Sequence, residues 1–183
     1  MKDMTTRKIA VLAMLSAISL VLVMFVRFPL FPAASFLEFD AGDIPIMIGT
    51  FAVGPVAGLL VTTVVSLIQG FTVSAGSGVY GVLMHIISSG TLCIVAGLIY
   101  NRNRTRKQAV IALIAATLVM TAVMVAANLI ITPIFMGAPR SMVVGMLVPV
   151  IIPFNLLKGI ITSVCTFLLY KPLSKHVFKF DRK

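Results

Sequence analysis

The sequence predicts an all-α integral membrane protein, six transmembrane helices in one bundle with the N- and C-termini cytoplasmic. Three observations predict it. The 183 residues are 60% hydrophobic and only 11% charged, more apolar surface than a soluble domain of this size can bury. The apolar residues fall into long runs bounded by charge or by Gly/Pro breaks. The net charge of +10 is concentrated in short clusters at the ends of those runs, where the positive-inside rule puts basic residues; this argues against a nucleic-acid partner. The whole chain, 1–183, reads as a single membrane-embedded domain.

Apolar runs extend from Ile9 to Val26, Ile44 to Gly70, Val79 to Tyr100, Ala109 to Ile131 and Val148 to Tyr170. The first follows Arg7 and Lys8 like a signal peptide. It is longer than a usual signal core and no small-x-small cleavage site follows, so it is expected to stay as the first helix. Lys2, Arg7 and Lys8 precede it; Arg102, Arg104, Arg106 and Lys107 follow the third run; Lys171, Lys175, Lys179, Arg182 and Lys183 follow the last. If all three clusters are cytoplasmic, 12 of the 15 basic residues obey the positive-inside rule. That demands an even number of crossings between the first two clusters. The run from Ile44 to Gly70 must then cross twice, turning at Val53-Gly54-Pro55, with each half short for a bilayer.

Three outside connections follow. The first, Arg27 to Asp43, carries Glu38, Asp40 and Asp43, three of the chain's five acids, among Phe28, Phe31, Phe36 and Phe39. It is expected to act as a lid, its aromatics over a ligand and its acids in water. The second, around Thr72 to Gly78, is Gly/Ser-rich, and the third, Thr132 to Pro149, carries Arg140.

The last run opens with Pro149-Val-Ile-Ile-Pro-Phe-Asn-Leu-Leu-Lys-Gly159. A lysine at this depth costs about 2.5–3.5 kcal/mol on insertion scales, so Lys158 needs a partner or a watery cavity. Asn155, Lys158, Thr162 and Thr166 share one helical face, and Thr117, Thr121, Asn128 and Thr132 share another on the preceding run. Asn128, Asn155 and Lys158 are therefore expected to converge near the outer end; asparagine suits a planar heterocycle with carbonyl and imino edges. His85 is a further candidate for that pocket. On the first run Ala10, Ala13 and Ala17 form a small-residue face at which another helix can approach closely. Cys93 and Cys165 lie inside apolar runs without metal-ligand spacing, and no metal is expected. There is no phosphate loop, no His-Glu-x-x-His and no paired carboxylate within an apolar run. That leaves a small membrane enzyme acting on lipid or isoprenoid substrates without its expected signature.

These stretches resemble the substrate-binding S components of energy-coupling-factor vitamin transporters, and within them the riboflavin-specific branch. The resemblance is carried by Phe28-Pro-Leu-Phe-Pro32, Phe36-Leu-Glu-Phe-Asp-Ala-Gly-Asp-Ile-Pro45, Phe51-Ala-Val-Gly-Pro-Val-Ala-Gly58, Asn128 with Pro133, and Pro153-Phe-Asn-Leu-Leu-Lys-Gly159. It implies six helices in a multi-pass protein of a prokaryotic cell membrane, an outward-facing pocket and no catalysis. Riboflavin would be the transported ligand, not a cofactor; pantothenate, a pyrimidine or a pyridoxine-like vitamin is the sibling alternative. The expected substrate-binding site comprises Asn128, Asn155, Lys158, Phe36, Leu37, Phe39, Asp40 and Thr162. The resemblance also implies a membrane T component, docked through the alanines of the first helix, and two ATP-binding cassette subunits. The chain has no tryptophan, so aromatic stacking on a ligand would fall to Phe or Tyr.

Overall fold

Glycine followed by proline breaks the run from residue 44 to 70 where the charge distribution requires a turn. In the computed structural model, which describes residues 5–176, helix α2 spans Asp43–Val53 and α3 spans Pro55–Phe71. Gly54 between them has φ +136°, a conformation open to glycine, and Pro55 takes the first helical position, where its missing N–H costs nothing. Lys2, Asp3, Lys179, Asp181, Arg182 and Lys183 lie outside the described residues.

Helix α1 spans Thr6–Phe25. It leads into a short antiparallel hairpin, β1 (Arg27–Pro29) and β2 (Glu38–Asp40), in which Arg27 faces Asp40, Phe28 faces Phe39 and Pro29 faces Glu38. A 3-10 turn at Pro32–Ala34 occupies the tip. After α3, a 3-10 turn at Ala75–Ser77 leads into α4 (Gly78–Arg102). Helix α5 (Arg106–Met136) is capped by Thr105, whose hydroxyl accepts from the Gln108 amide. It continues past Pro133 and stops at Gly137 in the left-handed conformation. The expected third connection is therefore largely helical. Helix α6 (Arg140–Met146) passes through a π turn at Leu147–Ile151 into α7 (Ile152–His176). The wider turn coincides with Pro149 and Pro153, each of which withholds a backbone donor.

Four helical stretches are long and apolar enough to cross a membrane: Thr6–Phe25, Ala75–Arg102, Arg106–Met136 and Arg140–Leu173. The 11 residues of α2 reach only about 17 Å, roughly half of a 30 Å hydrocarbon core. That shortness fits its place. Helix α2 packs against α1, α3, α4 and α7 and is buried from Pro45 through Ala52. At its far end Phe51, fully buried, stacks on Tyr100 at 4.3 Å between ring centres and meets the edge of Tyr170 at 5.4 Å. Tyr170 donates its hydroxyl hydrogen to the Phe51 carbonyl at 3.1 Å, fastening α7 to the centre of the bundle.

Candidate functional site

Burying Lys158 obliges the fold to bring it anions. Its ammonium is 3.0 Å from Asp43 Oδ2 and 3.7 Å from Asp40 Oδ2, an ion-pair contact rather than an aligned hydrogen bond. Here the structure corrects the expectation that the acids of the first connection stay in water. Asp40 and Asp43 are 4% and 1% exposed, folded inward by the hairpin and by the start of α2. The Gly42 amide donates to Asp40 Oδ1 at 3.1 Å, and Ser19 of α1 ties down the Gly42 carbonyl at 2.7 Å. Asp43 stands in the first turn of α2, where the helix dipole favours a negative charge. Ser89 of α4 donates to Asp43 Oδ1 at 2.5 Å.

His85 joins this cluster from one turn earlier on α4. Its Nε2 is 3.4 Å from Asp43 Oδ1 and 3.9 Å from Asp40 Oδ2, while Nδ1 lies 2.7 Å from the Ser66 hydroxyl of α3. Donor atoms of Asp40, Asp43 and His85 lie within 4.8 Å of one another, a grouping able to hold a cation. The Lys158 ammonium stands against the same carboxylate oxygens, so a positive charge already occupies that role.

Beside the cluster lies a cavity of about 140 Å³. Asn128 from α5, Asn155 and Lys158 from α7, and Phe36, Leu37 and Asp40 from the hairpin segment all line it. These six expected site residues are thus brought together. Two others are not. Phe39 points the other way across the hairpin and packs on Phe28, ring centres 5.5 Å apart. Thr162 is fully buried one turn beyond Lys158 and does not reach the cavity. Asn128 is spent within its own helix, donating to the Met124 carbonyl at 2.7 Å and accepting from Thr132 at 2.8 Å. Asn155 donates to the Ile151 carbonyl at 2.8 Å, but its Oδ1 is buried and has no hydrogen-bond partner among the described residues. The same is true of Gln69 Oε1 and Ser88 Oγ, which belong to the cavity wall as well. With His85 Nε2, four buried groups without a hydrogen bond among the described residues surround one space, the chemistry of a site that expects a polar guest.

The wall also includes residues the sequence reading did not single out: Ser66, Gln69, Ser74, Tyr80 and Ser88; Asp43 stands behind Lys158, outside the lining. The signal was present for some of them. Ser66 and Gln69 are three apart on α3, and His85, Ser88 and Ser89 share a face of α4. At the rim, Arg27 pairs with Glu38 across the hairpin and donates from its terminal nitrogen to the Val73 carbonyl at 2.6 Å. That links the hairpin to the connection between α3 and α4. Ala10, Ala13 and Ala17 are exposed on the outer face of α1, away from the cavity.

The chain is similar to known proteins over most of its length. Residues 7–170 match the family model described as ECF transporter, substrate-specific component. The riboflavin transporter RibU of Staphylococcus aureus (strain TCH60) is 33% identical over 145 residues, 76% of this chain and 76% of that protein. RibU of Streptococcus thermophilus is 31% identical over 156 residues, covering 81% of this chain and 74% of its own. The riboflavin transporter FmnP of Bacillus subtilis is 28% identical over 143 residues, 74% and 75% of the two chains. A solved structure, the S component of a bacterial ECF transporter, superposes with a TM-score of 0.80 at 34% identity, covering 92% of this chain and 95% of that one.

Proposed function

The chain belongs to the family of substrate-specific components of ECF transporters, and from that premise we propose that it is the riboflavin-binding membrane subunit of an ECF-type importer. It captures the vitamin on the extracellular side and delivers it with an energising module, without catalysis of its own. The observation that carries this reading is the cavity under the hairpin, where Asn155 offers an unpaired buried oxygen beside Asn128 and Lys158. An isoalloxazine ring presents an imino N–H, for which the amide oxygen is a suited acceptor, and carbonyl edges, for which the ammonium is a suited donor. Phe36 and Leu37 offer the apolar surface for its faces, and Asp40 an acceptor for hydroxyls of the tail.

The cavity's size adds a mechanical requirement. A space of about 140 Å³ matches one that takes a single benzene ring, so a three-ring ligand with a tail needs the hairpin to shift. The hairpin is three residue pairs long, and it acts as the lid, opening by parting Arg27 from the Val73 carbonyl and Asp40 from Lys158.

The proposed topology is a single domain with six crossings and both termini cytoplasmic, in the cell membrane of a prokaryote. Helices α2 and α3 supply two short crossings, which their apolar character and the Gly54 turn support. Transport needs partners, a membrane T component and two ATP-binding cassette subunits. The exposed alanines of α1 are the proposed contact with the first of these, since small residues allow the close helix approach that drives association in lipid.

The test is the absorption spectrum of the protein purified from a flavin-containing host, followed by riboflavin titration. Bands of an oxidised flavin and saturable quenching of its fluorescence are expected. A colourless protein that leaves flavin fluorescence unchanged would refute riboflavin as the ligand.

A further inference from the structure

A second cavity lies on the same face of α5 but nearer its N-terminus, an apolar groove of about 460 Å³ between α5 and α7. Its floor is made where α5 and α7 come together: a Cβ at Gly159 would fall 2.5 Å from Thr117 Cγ2, and the Thr117 and Ser163 hydroxyls are 3.3 Å apart. These hydroxyls serve each other, so the groove offers an occupant almost nothing polar. Its walls stand proud of the floor, with Ile114 and Leu118 each 58% exposed on α5 and Leu168 64% exposed on α7.

Two features identify what fits. Along α7 the groove runs from Leu156 to Leu168, about 18 Å at 1.5 Å per residue, close to the roughly 15 Å depth of one leaflet's hydrocarbon. One end of it is basic. Lys107 lies three residues before Val110 and seven before Ile114, on the face of α5 that lines the groove; Lys171 lies three after Leu168 and seven after Val164 on α7. Arg106 starts α5 beside Lys107. The two wall stripes thus both lead to cations at the same end of the groove, with an acyl chain's length of apolar trough behind them. A partner helix is the poorer occupant, because close helix packing in lipid needs small residues where this groove has branched walls. A flexible acyl chain fills such a trough without that constraint.

We infer that the groove between α5 and α7 is a binding site for one anionic phospholipid, its phosphate held between Lys107 and Lys171 and one acyl chain lying over the Thr117–Ser163 floor.

The experiment reconstitutes the full chain in vesicles of equimolar phosphatidylglycerol and phosphatidylcholine, extracts it in mild detergent, and counts retained lipid by native mass spectrometry. One phosphatidylglycerol should be retained in preference to phosphatidylcholine by at least about tenfold. The substitutions Lys107→Gln and Lys171→Gln remove the charges at the basic end, and each should lower that preference about fivefold. Val164→Trp, which fills the trough, should remove both lipids; Leu168→Phe serves the same purpose if the tryptophan variant does not elute as a monodisperse peak. Equal retention of the two lipids, or a preference unchanged in the double lysine variant, would overturn the inference. So would a Val164→Trp variant that keeps its phosphatidylglycerol but no longer co-purifies with a membrane partner, because the groove would then be a protein interface.

Discussion

Replacing Lys158 by methionine keeps most of the length of the side chain and removes its charge and its donors. In the parent protein that charge stands 3.0 and 3.7 Å from two carboxylates that are 1% and 4% exposed. Methionine leaves both of them buried without their cation, and breaking a buried pair in this way costs about 3–5 kcal/mol. For a chain of this length each kcal/mol moves the unfolding midpoint by about 2–4 °C, so Lys158→Met should melt about 6–20 °C lower. A companion variant, Lys158→Met with Asp40→Asn and Asp43→Asn, removes the stranded charges too and should recover most of that loss, since a neutral replacement for a buried ion pair is often tolerated. It should not recover binding: losing the ammonium is expected to weaken riboflavin more than about tenfold, or 1.4 kcal/mol. Thermal unfolding in detergent and a flavin-fluorescence titration on the same samples separate the two effects. A single variant as stable as the parent would refute the claim that Lys158 neutralises the two aspartates. A triple variant binding riboflavin like the parent would remove Lys158 from the ligand contacts.

Asn155→Leu fills the cavity wall with an apolar group and removes the unpaired oxygen, so riboflavin affinity in the same titration should fall at least about tenfold. Arg27→Ala cuts the hairpin's tie to Glu38 and to the Val73 carbonyl; residues 27–40 should exchange amide hydrogen faster, and riboflavin should restore protection in the parent more than in the variant. Ala13→Trp or Ala17→Trp, on the exposed face of α1, should leave ligand titration near parental while cellular uptake collapses; joint loss of both would mean that these alanines pack within the bundle. Gly54→Ala forces a Cβ onto φ +136° and should cost about 1–3 kcal/mol in thermal unfolding.

The helical architecture was legible because hydropathy and charge report on the bilayer directly. The turn at Gly54-Pro55 followed from counting lysines and arginines on either side of it. The pocket was legible at its floor, where Asn128, Asn155 and Lys158 interrupt apolar runs at helical spacing. It was misread at its roof. Asp40 and Asp43 sit in an aromatic, proline-rich connection, and local composition gives such acids no reason to leave water. The reason lies far along the chain, in a buried lysine that needs anions. His85 illustrates the same limit: its spacing from Ser89 marks a polar face on α4, but only the fold supplies Asp43 opposite it. Phe39 and Phe28 went to hairpin packing because successive strand residues face opposite ways, and the segment had been read as a loop.

The cluster that joins the hairpin to α7 also dictates when the protein becomes competent during its own synthesis. Asp40 and Asp43 leave the ribosome with the first third of the chain, whereas Lys158 arrives with the last helix. Until then the aspartates have no ammonium to oppose them, and a nascent chain ending before α7 has two anions with no place in the bilayer. The last helix is therefore a latch: its arrival neutralises the aspartates, permits the hairpin to fold inward and completes the cavity in one event. A chain stalled before that point lacks Asn155 and Lys158 from its cavity wall, and its unpaired acids distinguish it, chemically, from the finished protein.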